Sequence, residues 1–229
     1  MEFTKLSNRL DLVASFVPDG ARLLDVGSDH AYLPIALLQE GKIEAAIAGE
    51  VVEGPYQSAL QNVADNGLED KIEVRLANGL AAFEPTDGIS CITIAGMGGR
   101  LIADILAAGL VKLASVSRLV LQPNNREDEL RAWLVDNDFR IVDEAILEEN
   151  EKFYEILVVE QGSQELSAKE LRFGPYLMQE QAPAFVQKWS NEMGKLAFAL
   201  EQVPVENQSA RASLEERIAQ IKEVLNASK

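Results

Sequence analysis

The sequence predicts an α/β protein: a mostly parallel, Rossmann-like sheet followed by a helical tail. Three observations predict it. Apolar runs of strand length alternate with segments of helical period as far as residue 160. The first run, Leu23-Leu24-Asp25-Val26, enters a small acidic turn, Gly27-Ser28-Asp29-His30, just ahead of a helix. Beyond Gly162, strand formers give way to long helical periodicity.

The elements follow in order. Leu6, Leu10, Val13 and Phe16-Val17 recur at helical spacing, and Pro18-Asp19-Gly20 ends that opening helix. Strand 21–26, helix 31–39 and strand 44–49 come next. Helix 55–66 has Pro55 in its first turn and stops at Asn66-Gly67. Strand 72–76 leads through a loop at Asn78-Gly79 to strand 89–95, helix 99–108, strand 117–122 and helix 126–137. Strands 139–149 and 153–160, joined by the acidic turn Glu148 to Lys152, read as an antiparallel hairpin at a sheet edge. In the tail, Phe173, Leu177, Phe185, Trp189, Leu196 and Leu200 form one stripe. Leu214, Ile218, Ile221 and Leu225 form another, with Pro204 and Asn207-Gln208-Ser209 between them. The expected form is a coiled-coil-like antiparallel hairpin. The organisation expected is a catalytic sheet domain over 1–160 and a helical domain over 161–229.

Composition narrows the function classes. At 229 residues and 47% hydrophobic, the chain suffices for one α/β core with an appendage. No run approaches the roughly 18 apolar residues that span a bilayer, and Met1-Glu2-Phe3-Thr4-Lys5 lacks the order of a secretory signal. A single cysteine, Cys91, excludes an internal disulfide. With one histidine, His30, it argues against zinc sites and most Ser-His-Asp chemistry. The expectation is a cytoplasmic monomer with no membrane association and no structural metal. The net charge of −16 argues, alone, against a nucleic-acid partner. Its distribution softens this, because residues 1–160 carry −15 and residues 161–229 only −1.

Asp25 ends the first strand, and Gly27 and Ser28 follow at the rim where backbone amides meet a ligand. Glu50, with Val51 beside it, closes the second apolar run, where a carboxylate accepts from ribose hydroxyls. The pair points to an adenosine-containing cofactor. Dehydrogenases and methyltransferases both use such a turn, and three details favour the methyltransferase. The turn carries acids in place of three spaced glycines, so no pyrophosphate is expected and Asp29 can meet the ammonium of a methionine moiety. Asn78-Gly79 offers an amide to the adenine edge. Ile94-Ala95-Gly96-Met97-Gly98-Gly99 reads as a bare turn beside the reacting methyl, where main chain and a flat substrate approach closely. The rivals are an NAD-linked oxidoreductase and a non-catalytic scaffold that binds the cofactor.

Four segments carry a more specific likeness: Leu6-Ser7-Asn8-Arg9-Leu10, Asp25-Val26-Gly27-Ser28-Asp29-His30-Ala31-Tyr32-Leu33-Pro34, Ile94-Ala95-Gly96-Met97-Gly98-Gly99 and Leu121-Gln122-Pro123-Asn124. Through them the whole chain resembles the bacterial tRNA (adenine(22)-N(1))-methyltransferases. The resemblance implies S-adenosylmethionine as donor, tRNA as acceptor, and a class I methyltransferase sheet with a carboxyl-terminal helical domain that grips tRNA. Asp29 and Ala31 depart from the general class I pattern, which has glycines there. Gly96-Met97-Gly98-Gly99 replaces the Asn/Asp-Pro-Pro-aromatic loop of many amino-group methylases, which leaves base stacking to Tyr32 or Tyr154.

The chemistry sets its own demands. Adenine N1 carries an in-plane lone pair, so transfer needs alignment of N1, methyl and sulfur and no covalent nucleophile. The product is cationic unless N6 loses a proton, a task for a nearby carboxylate; Asp29 is the first candidate and His30 the second. N1 is the pairing edge, so the base must be unpaired or flipped. The cofactor set is Asp25, Gly27, Ser28, Asp29, Glu50, Val51, Asn78, Gly79, Ala95, Gly96 and Met97. Gly98, Gly99 and Asn124 line the substrate side, and Arg9, Arg100 and Arg126 are candidates for phosphate contact. Cys91, Trp133 and Trp189 read as packing residues.

Overall fold

Leu23 and Leu24 are neighbours in β1 (Ala21–Val26), yet they lie in different cores, because successive side chains of a strand point to opposite faces. Leu23 packs with α1 (Asn8–Ser15), α2 (Tyr32–Gln39) and α3 (Glu53–Asp65). Leu24 packs with α4 (Gly99–Ala108) and α5 (Glu127–Asp136). The sheet is thus covered on both sides, which is why its strands are almost continuously apolar. The computed structural model describes residues 4–227; Met1-Glu2-Phe3, read above for a secretory signal, lie outside them. Among the described residues, no helix is long and apolar enough to cross a membrane.

The remaining strands are β2 (Ile43–Glu50), β3 (Ile72–Leu76), β4 (Cys91–Met97), β5 (Arg118–Pro123), β6 (Phe139–Glu149) and β7 (Lys152–Gln161). They lie in the order β3-β2-β1-β4-β5-β7-β6. β1 to β5 run parallel, and β7 pairs antiparallel with both β5 and β6, which gives the expected edge hairpin. The chain winds outward from β1 to β3, then crosses back to β4. β1 and β4 stay paired as far as Val26–Ile94, but the connections leaving their carboxyl ends run to opposite faces, to α2 and α4, and a crevice opens between them. This is the Rossmann-like sheet that the sequence predicts.

Two differences have physical causes. β4 starts and ends two residues later than expected, so Gly96-Met97 is strand rather than turn. Gly96 N–H donates to Gln122 Oε1 and its carbonyl accepts from Asn124 Nδ2, which extends the pairing with β5 across an irregularity to Met97–Pro123. The tail also contains two short helices ahead of the hairpin, α6 (Ala168–Phe173) and α7 (Pro175–Glu180). Each is too short for periodicity to reveal it. The hairpin itself consists of α8 (Pro183–Gln202) and α9 (Gln208–Asn226). Contacts from Glu192 to Arg217 and from Leu200 to Arg211 set the two antiparallel.

A third core joins the tail to the sheet. Ile146 and Phe153 of the edge hairpin pack with Phe173, Leu177, Phe185, Trp189, Leu196, Ile218, Ile221 and Val224. A buried ion network lies beside it. Arg131 of α5 donates to Glu144 of β6 at 2.7 Å, to Glu155 of β7 and to the Leu171 carbonyl at 3.1 Å. Lys188 of α8 donates to Glu155 at 2.7 Å and Glu127 at 3.1 Å. Burial pushes the Glu155 carboxyl upward, but Arg131 and Lys188 outweigh it and hold it below its ordinary value. Gly174 (φ +84°) passes between the partners: a Cβ there would lie 2.7 Å from Glu144 Oε2 and 2.8 Å from Arg131 Nη2.

Candidate active site

The turn after β1 is wound left-handed. Gly27 has φ +67°, and Asp29, His30 and Ala31 follow at +43°, +67° and +59°. Three consecutive non-glycine residues in this region are strained and need outside restraint. The restraint is visible. Gly27 and Ser28 donate to the Gly49 carbonyl at 2.9 and 3.2 Å. Asp29 N–H donates to Glu50 Oε1 at 2.5 Å, and Asn62 Nδ2 donates to the His30 carbonyl at 3.0 Å. Asp25 accepts from Ser28 Oγ and Thr93 Oγ1, both at 2.6 Å. The turn is therefore pinned to the ends of β2 and β4 before any ligand arrives.

Burial raises the carboxyls of both Asp25 and Glu50. The Ser28 and Thr93 hydroxyls partly offset this at Asp25, and the Asp29 amide does so at Glu50. The Asp29 side chain, by contrast, is 85% exposed, with Oδ1 3.5 Å from His30 Nε2. It does not cap α2, whose N-terminus has no side-chain partner. Tyr32 is partly exposed, its ring 5.4 Å from that of His30. Val51 and Val52 are exposed apolar residues just past Glu50. Ala77 N–H donates to the Glu50 carbonyl at 2.7 Å, which draws Asn78 to the same rim. Gly79 (φ +53°) lies against α4, where a Cβ would meet Ile105 at 2.9 Å. Asn78 and Gly79 line a cavity of about 550 Å³ with Leu101 and Ile105.

Across the crevice, a second group converges on Gly96. Gln122 is fully buried. Its Oε1 accepts from Arg9 Nη1 at 2.6 Å and Gly96 N–H at 3.0 Å, and its Nε2 donates to Asn124 Oδ1 at 3.1 Å. Asn124 Nδ2 donates to the Gly96 carbonyl at 2.7 Å, and Asn124 N–H donates to that of Met97 at 2.7 Å. The Arg9 guanidinium lies 5.6 Å from the Tyr154 ring centre. Gly98 caps α4, and Gly99 starts it with no room for a side chain: a Cβ would come within 2.5 Å of the Arg126 carbonyl. The two groups meet at Met97, whose methyl would lie 2.4 Å from a Cβ on Gly27. From Asn124 and Tyr154, a cleft of about 1230 Å³ leads to Trp189 of α8 and Arg217 of α9.

Most of the residues singled out by sequence thus lie along the carboxyl rim of β1, β2, β4 and β5, with Ala95 in β4. Arg100 and Arg126 adjoin the Gly99 end of this rim. Both pair with Glu129 at the surface, so their charge is shared with a carboxylate. Sequence reasoning missed Thr93, Gln122 and Asn62, which hold the site together. The available signal was a polar residue inside an apolar run, which Thr93 and Gln122 both are. Cys91 is buried core, its thiol pushed up to about 12 by desolvation, and has no nucleophilic role. Among the described residues, no cluster of His, Cys, Asp or Glu has the makings of a metal site.

Comparison with known proteins decides the lineage. Residues 23–223 match the family model of the tRNA (adenine(22)-N(1))-methyltransferases, TrmK. The chain belongs to that family. It is 41% identical to the tRNA (adenine(22)-N(1))-methyltransferase of Bacillus subtilis, over 99% of both chains. The crystal structure of Streptococcus pneumoniae Sp1610, described as a putative tRNA (m1A22) methyltransferase, superposes with a TM-score of 0.95 at 66% identity. It covers 97% of this chain and 100% of that one. A second crystal structure of Sp1610, in complex with S-adenosyl-L-methionine, superposes with a TM-score of 0.90 at 65% identity and the same coverage. Family membership removes the oxidoreductase rival.

Proposed function

We propose that this TrmK-family chain transfers the methyl group of S-adenosylmethionine to N1 of adenine 22 in tRNA. The observation that carries the reading is the pairing of two rims in one crevice: an acid-lined turn suited to a nucleoside, and a bare main-chain shelf facing it. The donor fits the first rim. Glu50 accepts from Asp29 with one oxygen, which leaves the other for ribose hydroxyls. The exposed Val51 and Val52 offer an apolar surface to the adenine, and Asn78 stands beside them. The uncapped start of α2 offers main-chain donors to a carboxylate. When bound, the donor supplies an electrophilic methyl group on sulfonium.

The other tasks fall to the chain's own residues. Gly96, Gly98 and Gly99 keep side chains away from the path of an incoming purine. Asp29, with an anchored main chain and a free carboxylate, faces the positive charge that develops on the ring and accepts the N6 proton. His30 is its partner. Tyr154 or Tyr32 stacks on the base, and Arg9 takes a flanking phosphate. Residues 1–160 carry the chemistry. Residues 161–229, nearly neutral on an otherwise acidic protein, carry the tRNA along the cleft. The reading takes the enzyme as a monomer without structural metal, working in the cytoplasm where tRNA is found.

The test is nucleoside mass spectrometry of an unmodified tRNA transcript after incubation with protein and donor. The expected product is 1-methyladenosine, absent when the transcript carries guanine at position 22. No 1-methyladenosine in any tRNA would overturn the proposal in favour of a non-catalytic scaffold.

A further inference from the structure

An enzyme that methylates adenine N1 cannot recognise the base through N1, because that lone pair must stay free to attack. Recognition of adenine therefore falls on the exocyclic amino group and on N7, a donor and an acceptor. An asparagine or glutamine amide matches this pair with one acceptor and one donor. The crevice holds such an amide, with its polarity already decided.

The polarity follows from groups that only donate. Arg9 and the Gly96 N–H have no acceptor to offer, so the Gln122 oxygen must face them. The Gln122 nitrogen then faces the other way and donates to the Pro123 carbonyl at 2.8 Å and to Asn124 Oδ1 at 3.1 Å. The Asn124 nitrogen in turn donates to the Gly96 carbonyl. Each link forbids the reverse orientation of the next. Gln122 is fully buried, so water does not compete for its bonds, whereas Asn124 is exposed. With one contact made at each end, Asn124 retains one lone pair on Oδ1 and one N–H on Nδ2. It stands at the mouth of the 1230 Å³ cleft, beside Tyr154 and one residue pairing from Met97 and the cofactor turn.

We propose that Asn124 reads the N6 and N7 edge of the target adenine, and that Gln122 is the positioning residue that fixes which end of the Asn124 amide accepts and which donates. Guanine presents a carbonyl where adenine has its amino group and is rejected by the Oδ1 lone pair. The inference rests on the methyltransferase reading above and adds its base selectivity.

The experiment uses the full chain and tRNA transcripts with adenosine, 7-deazaadenosine or purine riboside at the target position. The native enzyme is expected to lose roughly 10-fold or more in kcat/KM on each analogue, the scale of one bidentate base contact. Asn124→Ala should abolish most of the 7-deazaadenosine penalty and part of the purine riboside one, whose remainder is the N6 proton that Asp29 takes. Gln122→Glu, which removes the donor to Asn124, should reduce both. Both variants should keep native affinity for S-adenosylhomocysteine by calorimetry. A merely structural role would lower turnover on all three transcripts alike. Penalties of equal size in the native and Asn124→Ala enzymes overturn the proposal. Should a variant lack turnover, the same penalties are read as Kd ratios for the three transcripts with S-adenosylhomocysteine bound, under the same criterion. A native enzyme inactive on the adenosine transcript would instead sink the methyltransferase reading itself.

Discussion

On the proposed reading the cofactor rim depends on Glu50, and replacing it separates two contributions. In Glu50→Ala the Asp29 amide loses its acceptor, and the ribose hydroxyls lose theirs. A hydrogen bond to a charged group contributes about 1.5–3 kcal/mol, and an orphaned donor costs a similar amount. The two losses overlap, because the turn relaxes once its strap is gone. The net loss of cofactor affinity is then about 2–3 kcal/mol, roughly 30- to 150-fold in Kd. Glu50→Gln retains an acceptor for Asp29 and an uncharged partner for ribose, so its loss is smaller, about 1 kcal/mol or roughly 5-fold. Isothermal calorimetry with S-adenosylhomocysteine measures both, with a thermal melt to show that each variant folds. An alanine variant that bound as tightly as the native chain would refute the ribose assignment, and a glutamine variant as weak as alanine would refute the division of terms.

Three further outcomes are expected. Burial raises the Glu50 carboxyl above its ordinary 4.5. The charged form binds ribose, so cofactor affinity should fall on acidification starting above that pH, with a shallower fall in Glu50→Gln; identical profiles would count against it. Arg131→Met leaves Glu144 and Glu155 buried without their shared cation and should lower the unfolding free energy by about 3–5 kcal/mol in urea titrations. An unshifted midpoint would show that the network is not a structural tie. Gly99→Ala places a methyl against the Arg126 and Asn125 carbonyls, main-chain atoms that cannot swing aside. It should cost about 1–3 kcal/mol of stability and displace Asn124, so turnover falls while cofactor affinity holds; native turnover would contradict this.

The parallel sheet was legible because strands covered on both faces leave unbroken apolar runs, and Leu23-Leu24 or Ile92 to Ile94 announce themselves. Asp25 and Glu50, the acids proposed to hold the cofactor, were legible as rim residues because they terminate such runs. What escaped is whatever depends on a partner distant in sequence. Gln122 meets Arg9 across 113 positions, and Thr93 meets Asp25 across 68, so neither pairing leaves a local pattern. The ion network that anchors the tail is equally silent, since Arg131, Glu144, Glu155 and Lys188 meet across 13 to 33 positions and leave no local pattern. The left-handed turn was hidden for another reason. Asp29, His30 and Ala31 occupy a backbone region usually marked by glycine, and only the restraints from Glu50 and Asn62 make it tenable.

That turn has a consequence for how the protein can be improved. Relaxing it with His30→Gly, at φ +67° and with its ring partly in solvent, would ease the tension held in the loop, and the melting temperature would gain from that even as the loop lost its fixed shape. Heat resistance and catalytic speed would then pull against each other at this one bend, so a search for sturdier variants that scored stability alone would favour the slower enzyme.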